Sequence, residues 1–141
     1  MAAYNKFNVF VSDVMQKVHN VDADTLKIAL TNTAPVATNT VFANITELGA
    51  GNGYTAGGNT ATFSSGAQTS GTFKLICAVV TFTASGGSIG PFQYCVLYNS
   101  TPTSPAKPLI GWYDYGTPLT ITNGNSFTVN LDQTNGVFTL A

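Results

Sequence analysis

Few side chains in this sequence carry groups that could transfer a proton or attack a substrate. The chain of 141 residues has one histidine, His19, one glutamate, Glu47, and five aspartates. General acid–base catalysis needs ionisable groups that converge on the substrate, and no residue near His19 in the sequence forms a dyad with it. A histidine at the end of a predicted helix is expected to interact with the helix dipole instead. We therefore predict that the protein is not an enzyme and has no catalytic residues.

The sequence also lacks the spacing that metal and nucleotide sites require. Asp22 and Asp24 stand two positions apart, but a calcium loop needs further oxygen ligands at fixed positions. Cys77 and Cys95 lack the spacing of zinc ligands. The glycine-rich stretch at residues 49–58 is not followed by the Gly-Lys-Ser/Thr of a phosphate-binding loop. We predict no metal site and no cofactor.

The polar residues of this chain are mostly neutral. Charged residues make up 8% of the sequence and arginine is absent, whereas about 25% is typical of globular proteins. The sequence contains 21 threonines, which favour strands, and 13 asparagines, which favour turns. A near-neutral surface offers little charge repulsion against self-association. This composition is typical of a β domain with tight turns that packs against copies of itself.

Charge and hydropathy exclude two classes of partner. Nucleic-acid binding needs a basic stripe, but the chain has five scattered lysines and a pI near 5.5. No stretch approaches the ~20 apolar residues of a membrane span. The first residues do not resemble a secretory signal, so we predict synthesis in the cytoplasm. Cys77 and Cys95 lie in apolar runs that indicate strands, and in that compartment we expect buried, reduced thiols.

One segment near the start has helical periodicity. Its apolar residues follow a spacing of three and four, namely Phe7, Phe10, Val11, Val14, Met15 and Val18. Asn5 is a suitable N-cap and Asn20 a suitable end. The pattern predicts one N-terminal helix over about residues 6–19. Its apolar stripe is expected to pack on the domain's own core, with docking to a neighbouring subunit as the alternative.

Beyond residue 25 the apolar period changes to two, which is typical of strands. The run at residues 73–84 is apolar on both faces, and Asn123-Gly124 indicates a hairpin turn within a terminal β-meander. About eight strands are predicted, at residues 26–31, 60–64, 73–84, 92–99, 109–115, 119–122, 126–132 and 137–140. Together they predict a single, mainly β domain over residues 1–141, with an antiparallel β-sandwich or jelly roll over about residues 25–141.

An aromatic cluster stands out in the run at residues 108–116, PLIGWYDYG. We expect Trp112 to fill the sandwich core. For Tyr113 and Tyr115 core packing and use in an interface remain equally open, because tyrosine brings apolar area together with a polar tip. Aromatic side chains also stack on sugars, so carbohydrate binding stays an alternative.

Several stretches of the sequence resemble a family of short virion proteins of tailed bacteriophages. The stretches are YNKFNVFVSDV, LTNTAPVATNTV, GNGYTAGGNT, FTASGGSIGPFQYCVLYN and PLIGWYDYG. The resemblance extends over nearly the whole chain. It implies a structural protein of the virion, best suited to a capsid decoration or cement role. Such a protein would bind the major capsid protein and copies of itself, commonly as a homotrimer, and tighten contacts between shell subunits.

Two other roles stay open. A tail or tail-fibre protein, one that could bind host carbohydrate, would use the same fold, and a small wall hydrolase would require convergent carboxylates. The resemblance assigns no site residue. The polar, irregular segments at residues 1–6, 32–40 and 49–58 are our candidate contacts. With the aromatic cluster they give six candidate interface residues: Tyr4, Lys6, Pro35, Tyr54, Tyr113 and Tyr115.

Overall fold

Strands dominate the computed structural model, which describes residues 2–141. One α-helix, α1 (Val9–Met15), and one 3-10 turn (Phe42–Asn44) interrupt ten strands in that range. The strands are β1 (Ala3–Lys6), β2 (Leu26–Thr31), β3 (Asn59–Ala61), β4 (Phe63–Thr69), β5 (Thr72–Cys77), β6 (Val80–Thr83), β7 (Ile89–Asn99), β8 (Leu109–Ile121), β9 (Ser126–Val129) and β10 (Phe138–Leu140). The prediction of a mainly β domain with one N-terminal helix is confirmed.

The strands form antiparallel sheets around a shared core. A five-stranded sheet has the order β1-β8-β7-β2-β3, a three-stranded sheet the order β10-β5-β4, and β6 pairs with β9. Apolar side chains from all three sheets meet in one cluster, which includes Ile28, Leu75, Phe82 and Leu97. The large sheet therefore forms one layer of a sandwich, and the two small sheets form the other.

A second, smaller core lies on the other face of the large sheet. It contains Phe7, Val96 and Tyr98, and the rings of Phe42 and Tyr98 stack at 4.1 Å. The segment around the 3-10 turn thus covers the middle of the sheet. Because β2 and β7 are buried on both faces, they are nearly continuous apolar runs, as expected for such strands.

The predicted helix over residues 6–19 is too long. Residues 3–6 form the edge strand β1, in which Tyr4 pairs with Tyr113, and so Asn5 lies in a strand and does not cap the helix. The helix ends at Met15, whose side chain is 82% exposed. Phe7 packs in the second core and Phe10 in the main core. The chain turns between β1 and α1, and this turn directs the apolar residues of the predicted stripe into two different cores.

The single strand predicted at residues 73–84 is two strands. Leu75 and Cys77 are buried in β5, and Val80 and Phe82 are buried in β6. Between them Val79 is 47% exposed. Odd-numbered residues face the core in β5, and even-numbered residues face it in β6. The run therefore looks apolar on both faces although each of its two strands buries one face only.

The predicted terminal β-meander is also wrong. Residues 109–121 form one continuous strand, β8, and the turn at Asn123-Gly124 does not join it to a hairpin partner. Gly124 adopts a φ of +84°, and the amide of Asn125 donates to the carbonyl of Thr122 at 3.0 Å. The chain then enters β9, which pairs with β6, and β10 pairs with β5. The turn is therefore a corner between layers.

Candidate contact surfaces and the buried polar cluster

The N-terminal candidates Tyr4 and Lys6 belong to the sheet and are not part of a free arm. The ring of Tyr4 covers Gly111 and lies 5.5 Å from the ring of Tyr113. Its hydroxyl is buried without a hydrogen-bond partner in the described chain, and burial raises its pKa. Lys6, at the end of β1, is exposed. Met1, the first residue of this candidate segment, lies outside the described residues.

The glycine-rich loop at residues 49–58 is fastened from within by Tyr54. The Tyr54 hydroxyl accepts a hydrogen bond from the amide of Leu30 at 3.0 Å and donates one to Oε1 of Glu47 at 2.7 Å. The same Glu47 oxygen accepts the amide of Gly57. Because Tyr54 is 3% exposed, it cannot contact a partner in this fold. Its role is to hold the loop against β2.

The loop at residues 32–40 keeps an accessible surface. Pro35 is half-buried, and the neighbouring Val36 is 56% exposed. The side chain of Asn39 accepts the amide of Val36 at 2.9 Å, which closes the turn. This loop is therefore a fixed turn that presents Val36 to the solvent.

The aromatic cluster is divided between the two faces of β8. Tyr113 is buried in the main core opposite Cys95, which excludes it as a contact in the folded chain. Trp112 points the other way and is half-buried, with its ring 4.6 Å from that of Phe7. The expectation that Trp112 fills the sandwich core is therefore wrong, because it packs in the second core. Tyr115 is half-buried against the main core.

Both cysteines are buried free thiols. Burial raises the pKa of Cys77 to about 11 and that of Cys95 to about 12. The raised pKa values favour the thiol form at neutral pH, and because the thiolate is the reactive form, neither cysteine is activated as a nucleophile. The expectation of buried, unbridged cysteines is met by the structure.

One cluster of polar and ionisable side chains joins α1 to the end of β7, and it contains Asp13, His19, Asp24 and Asn99. The amide nitrogen of Asn99 donates to Oδ2 of Asp24 at 2.5 Å and lies 3.2 Å from Nδ1 of His19. Oδ1 of Asn99 accepts the amide of Thr101 at 3.1 Å. Nε2 of His19 faces Oδ2 of Asp13 at 4.0 Å, and neither atom has a hydrogen-bond partner in residues 2–141.

This geometry fixes the protonation of His19. The Thr101 amide can only donate, so Oδ1 of Asn99 must face it and the Asn99 side chain has one orientation. Its nitrogen therefore faces Nδ1 of His19, which must accept, and the proton of the neutral imidazole resides on Nε2. Burial lowers the pKa of His19, against the opposing effect of Asp24, while burial raises the pKa of Asp13.

We expect His19 to make the fold less stable in mild acid. Because its folded pKa lies below the unfolded value of 6.5, the unfolded state takes up a proton before the folded state does as the pH falls. Stability is then lost by at most about 1.4 kcal/mol per pH unit. Urea unfolding between pH 8 and pH 5 measures this loss.

The matched variant is His19→Asn, which keeps an acceptor near the position of Nδ1 but does not titrate. The wild-type minus variant difference should shrink as the pH falls. Asp13 acts with the opposite sign: because its folded pKa is raised above 3.8, the folded state takes up a proton before the unfolded state does, and stability rises as the pH falls. A difference that stays constant across the range would contradict the neutral, buried His19.

The outer face of the three-stranded sheet is a regular, exposed surface made mostly of small neutral residues. β4 and β5 form a hairpin that closes at Ser70-Gly71, and every residue of β4 after Phe63 is exposed. A shallow depression of about 360 Å³ on this face is lined by Ser65, Ala67, Thr69, Thr72, Lys74 and Thr139. The sequence analysis missed it and placed only a short strand at residues 60–64. The signal in the sequence was Ser70-Gly71 between two stretches that each contain polar residues, which indicates a hairpin turn.

Within residues 2–141, no three His, Cys, Asp or Glu side chains come together as a metal site requires. In the same range, no helix is long and apolar enough to cross a membrane. No family model, characterised protein or solved structure matches this chain. The resemblance to short virion proteins therefore stays a prediction.

Proposed function

We propose that this chain is a structural protein of the tailed-bacteriophage virion and decorates the capsid shell. The observation that carries the proposal is the exposed, neutral outer face of the three-stranded sheet, in which Lys74 is the one charged side chain lining the depression. The sequence resemblance points to the same class of particle. The partners in this proposal are the major capsid protein and further copies of the chain.

A face of this kind suits permanent contact. Removing a charged group from water costs several kcal/mol unless it finds a partner, whereas a threonine hydroxyl needs a single hydrogen bond. Rows of threonine and serine can thus be buried against another protein at little desolvation cost. The low charge of the chain, 8% of residues, extends this property to most of the surface.

The ionisable groups inside the fold have structural tasks. Glu47 holds Tyr54 and the glycine-rich loop, and Asp24 holds Asn99. A decoration protein needs no catalytic centre. It stabilises the assembled shell because it binds the assembled form and not the free subunits, and this selectivity shifts the assembly equilibrium by mass action.

Quantitative mass spectrometry of purified particles tests the proposal. A copy number comparable to that of the major shell protein is expected for a decoration protein. A few copies per particle would overturn the decoration role and support the tail or tail-fibre role. Absence from the particle would overturn the virion role altogether.

A binding assay on heads that lack the protein tests the proposed surface. Thr139 lies on β10 opposite Lys74 of β5, so Thr139→Lys places a second positive charge on this face. Thr117→Lys places the same charge at an exposed position of β8. We expect co-sedimentation with heads to fall at least tenfold for Thr139→Lys alone. Equal binding of the two variants would exclude the outer face of the three-stranded sheet as the shell contact.

A further inference from the structure

β4 is an edge strand whose outer side is unoccupied in the described chain. It is the last strand of its sheet, and its seven residues, FSSGAQT, include no charge and no proline. An irregularity near Ser65 is confined to its start, so Ser65–Thr69 pairs regularly with β5. An unpaired edge of this kind presents a row of free amide and carbonyl groups, which favours pairing with another strand.

The other sheet edges in residues 2–141 are shorter. β1 has four residues and ends in Lys6, and β3 and β10 have three residues each. The two-stranded sheet has four residues on each side. Monomeric proteins usually blunt a long edge with charge, proline or a covering loop. Among the strands that end a sheet order in this range, β4 is thus the longest, and it contains neither a charged residue nor a proline.

The hairpin turn determines which backbone groups of β4 point outward. Ser70 and Gly71 both have positive φ, 50° and 84°, as in the two-residue turns of tight hairpins. Thr69 and Thr72 then form a hydrogen-bonded pair, and such pairs alternate along antiparallel strands. Counting back from Thr69, the amide and carbonyl groups of Gln68 and Gly66 face away from β5.

We propose that β4 pairs antiparallel with β4 of a second copy of this chain, about a twofold axis at Ala67. In this register Gly66 of each copy lies opposite Gln68 of the other, and these residues exchange the outward hydrogen bonds. Ala67 then faces Ala67 as a non-hydrogen-bonded pair, in which Cα atoms approach to about 4.5 Å. The small side chain of Ala67 allows this approach. The two three-stranded sheets become one continuous sheet of six strands.

The choice of a second copy follows from self-complementarity. In a twofold interface the same segment of both copies must provide matching hydrogen-bond donors and acceptors. The outward amide and carbonyl groups of Gly66 and Gln68 meet this requirement because they are placed symmetrically about Ala67. Within the β4–β5 hairpin the one charged side chain is Lys74, which pairs with Ala67. Across the axis two such lysines are separated by three strand spacings, about 14 Å, which exceeds the screening length of about 10 Å at 0.1 M salt.

Cysteine cross-linking tests this register. Ala67→Cys places two thiols at Cα atoms about 4.5 Å apart, within the range of a disulfide. In Thr69→Cys the two thiols lie about four residues apart along the strand, or about 13 Å, which is too far. The native cysteines are buried, so the wild type is the background control under mild oxidation with copper phenanthroline.

We expect dimer formation by Ala67→Cys to be at least tenfold faster than by Thr69→Cys. Similar rates for the two variants, or faster cross-linking of Thr69→Cys, would overturn the proposed register. Because this readout needs only purified protein, its failure would leave the proposed shell contact on the outer face of the three-stranded sheet untested and unchanged. Loss of shell binding with intact cross-linking would instead overturn the proposed function alone.

A proline variant tests the outward hydrogen bonds. Gln68→Pro removes an amide that β5 does not use, whereas Gln68→Ala keeps that amide; both lose the side-chain bond to the amide of Gly71. By sedimentation equilibrium we expect a dimer for wild type and Gln68→Ala, and at least a tenfold weaker dimer for Gln68→Pro. A monomeric or trimeric wild type, or equal dimerisation of the two variants, would overturn the proposal.

Discussion

Gly58→Ala should destabilise the fold by about 3 kcal/mol or more, the combined cost of left-handed strain and overpacking. Gly58 is buried at the end of the glycine-rich loop and has a φ of +76°. A Cβ atom there would overlap the carbonyl oxygen of Ile28 and lie 2.8 Å from the Cα atom of Ala29. Both are backbone atoms of the central strand β2, so neither can move without disturbing the sheet.

The matched control is Gly124→Ala. Gly124 has a similar φ of +84°, but a Cβ atom there meets nothing within 4 Å. It therefore isolates the conformational cost, about 1–2 kcal/mol. Urea unfolding of both variants gives the two values. If Gly58→Ala were no worse than Gly124→Ala, the close packing of the loop on β2 would be contradicted.

Asn99→Asp is the second large effect, and it should reverse the response of the fold to acid. The change places a carboxylate oxygen 2.5 Å from Oδ2 of Asp24, where an amide donates in the wild type. Asn99 is completely buried. Like charges in such a place must take up a proton or separate, so we expect a loss of about 3–5 kcal/mol at pH 8.

Acid should restore part of this loss. In the variant the folded state can bind a proton between the two carboxylates or on His19, whose Nδ1 would then face an acceptor. The folded pKa of the cluster is therefore raised above the unfolded values, and stability falls as the pH rises through that window. The wild type loses stability in mild acid through His19, so the two proteins should have opposite slopes between pH 8 and pH 5.

Asn130→Asp is the control, since Asn130 is exposed just after β9. It should change stability by less than about 0.5 kcal/mol, as surface substitutions usually do. Thermal or urea unfolding at several pH values measures all three proteins. A slope of the wild-type sign in Asn99→Asp would show that Asn99 does not organise the cluster as described.

Several of the few acidic side chains are held by contacts within the fold. Asp13 of α1 faces His19, Asp24 accepts a hydrogen bond from Asn99, and Glu47 accepts one from Tyr54. Asp132 lies at a turn, where hydrogen bonds from Asn135 lower its pKa. The acids thus organise loops, and rows of threonine, serine and small residues are left to face outward on β4 and its neighbours.

The candidate site was only partly predictable. Of the six candidate interface residues, Tyr54 and Tyr113 are buried, Tyr4 packs on β8, and Lys6 is exposed. An isolated tyrosine in a polar loop has the same sequence signature whether its ring points inward or outward. What decided Tyr54 was a hydrogen bond to Leu30, 24 residues earlier, which local patterns cannot contain.

The sequence by itself determined the fold class of the protein. Alternation of apolar residues, abundant threonine and scattered glycines require antiparallel strands with tight turns, and the strand at residues 26–31 was placed correctly. The low charge and its neutral surface likewise follow from composition alone. Strand periodicity depends on neighbouring residues, and overall charge is a sum over residues. Both can therefore be read from the sequence without knowing which strands pair.

Only the tertiary structure decided which strands share a sheet. The run at residues 73–84 is divided at Val79, and the Asn123-Gly124 turn leads to β6 and not back to β8. Each choice depends on which layer still has apolar surface to bury, and that surface is supplied by residues far away in the chain. For the same reason the position of β4 at the edge of its sheet follows only from the strand order of the tertiary structure.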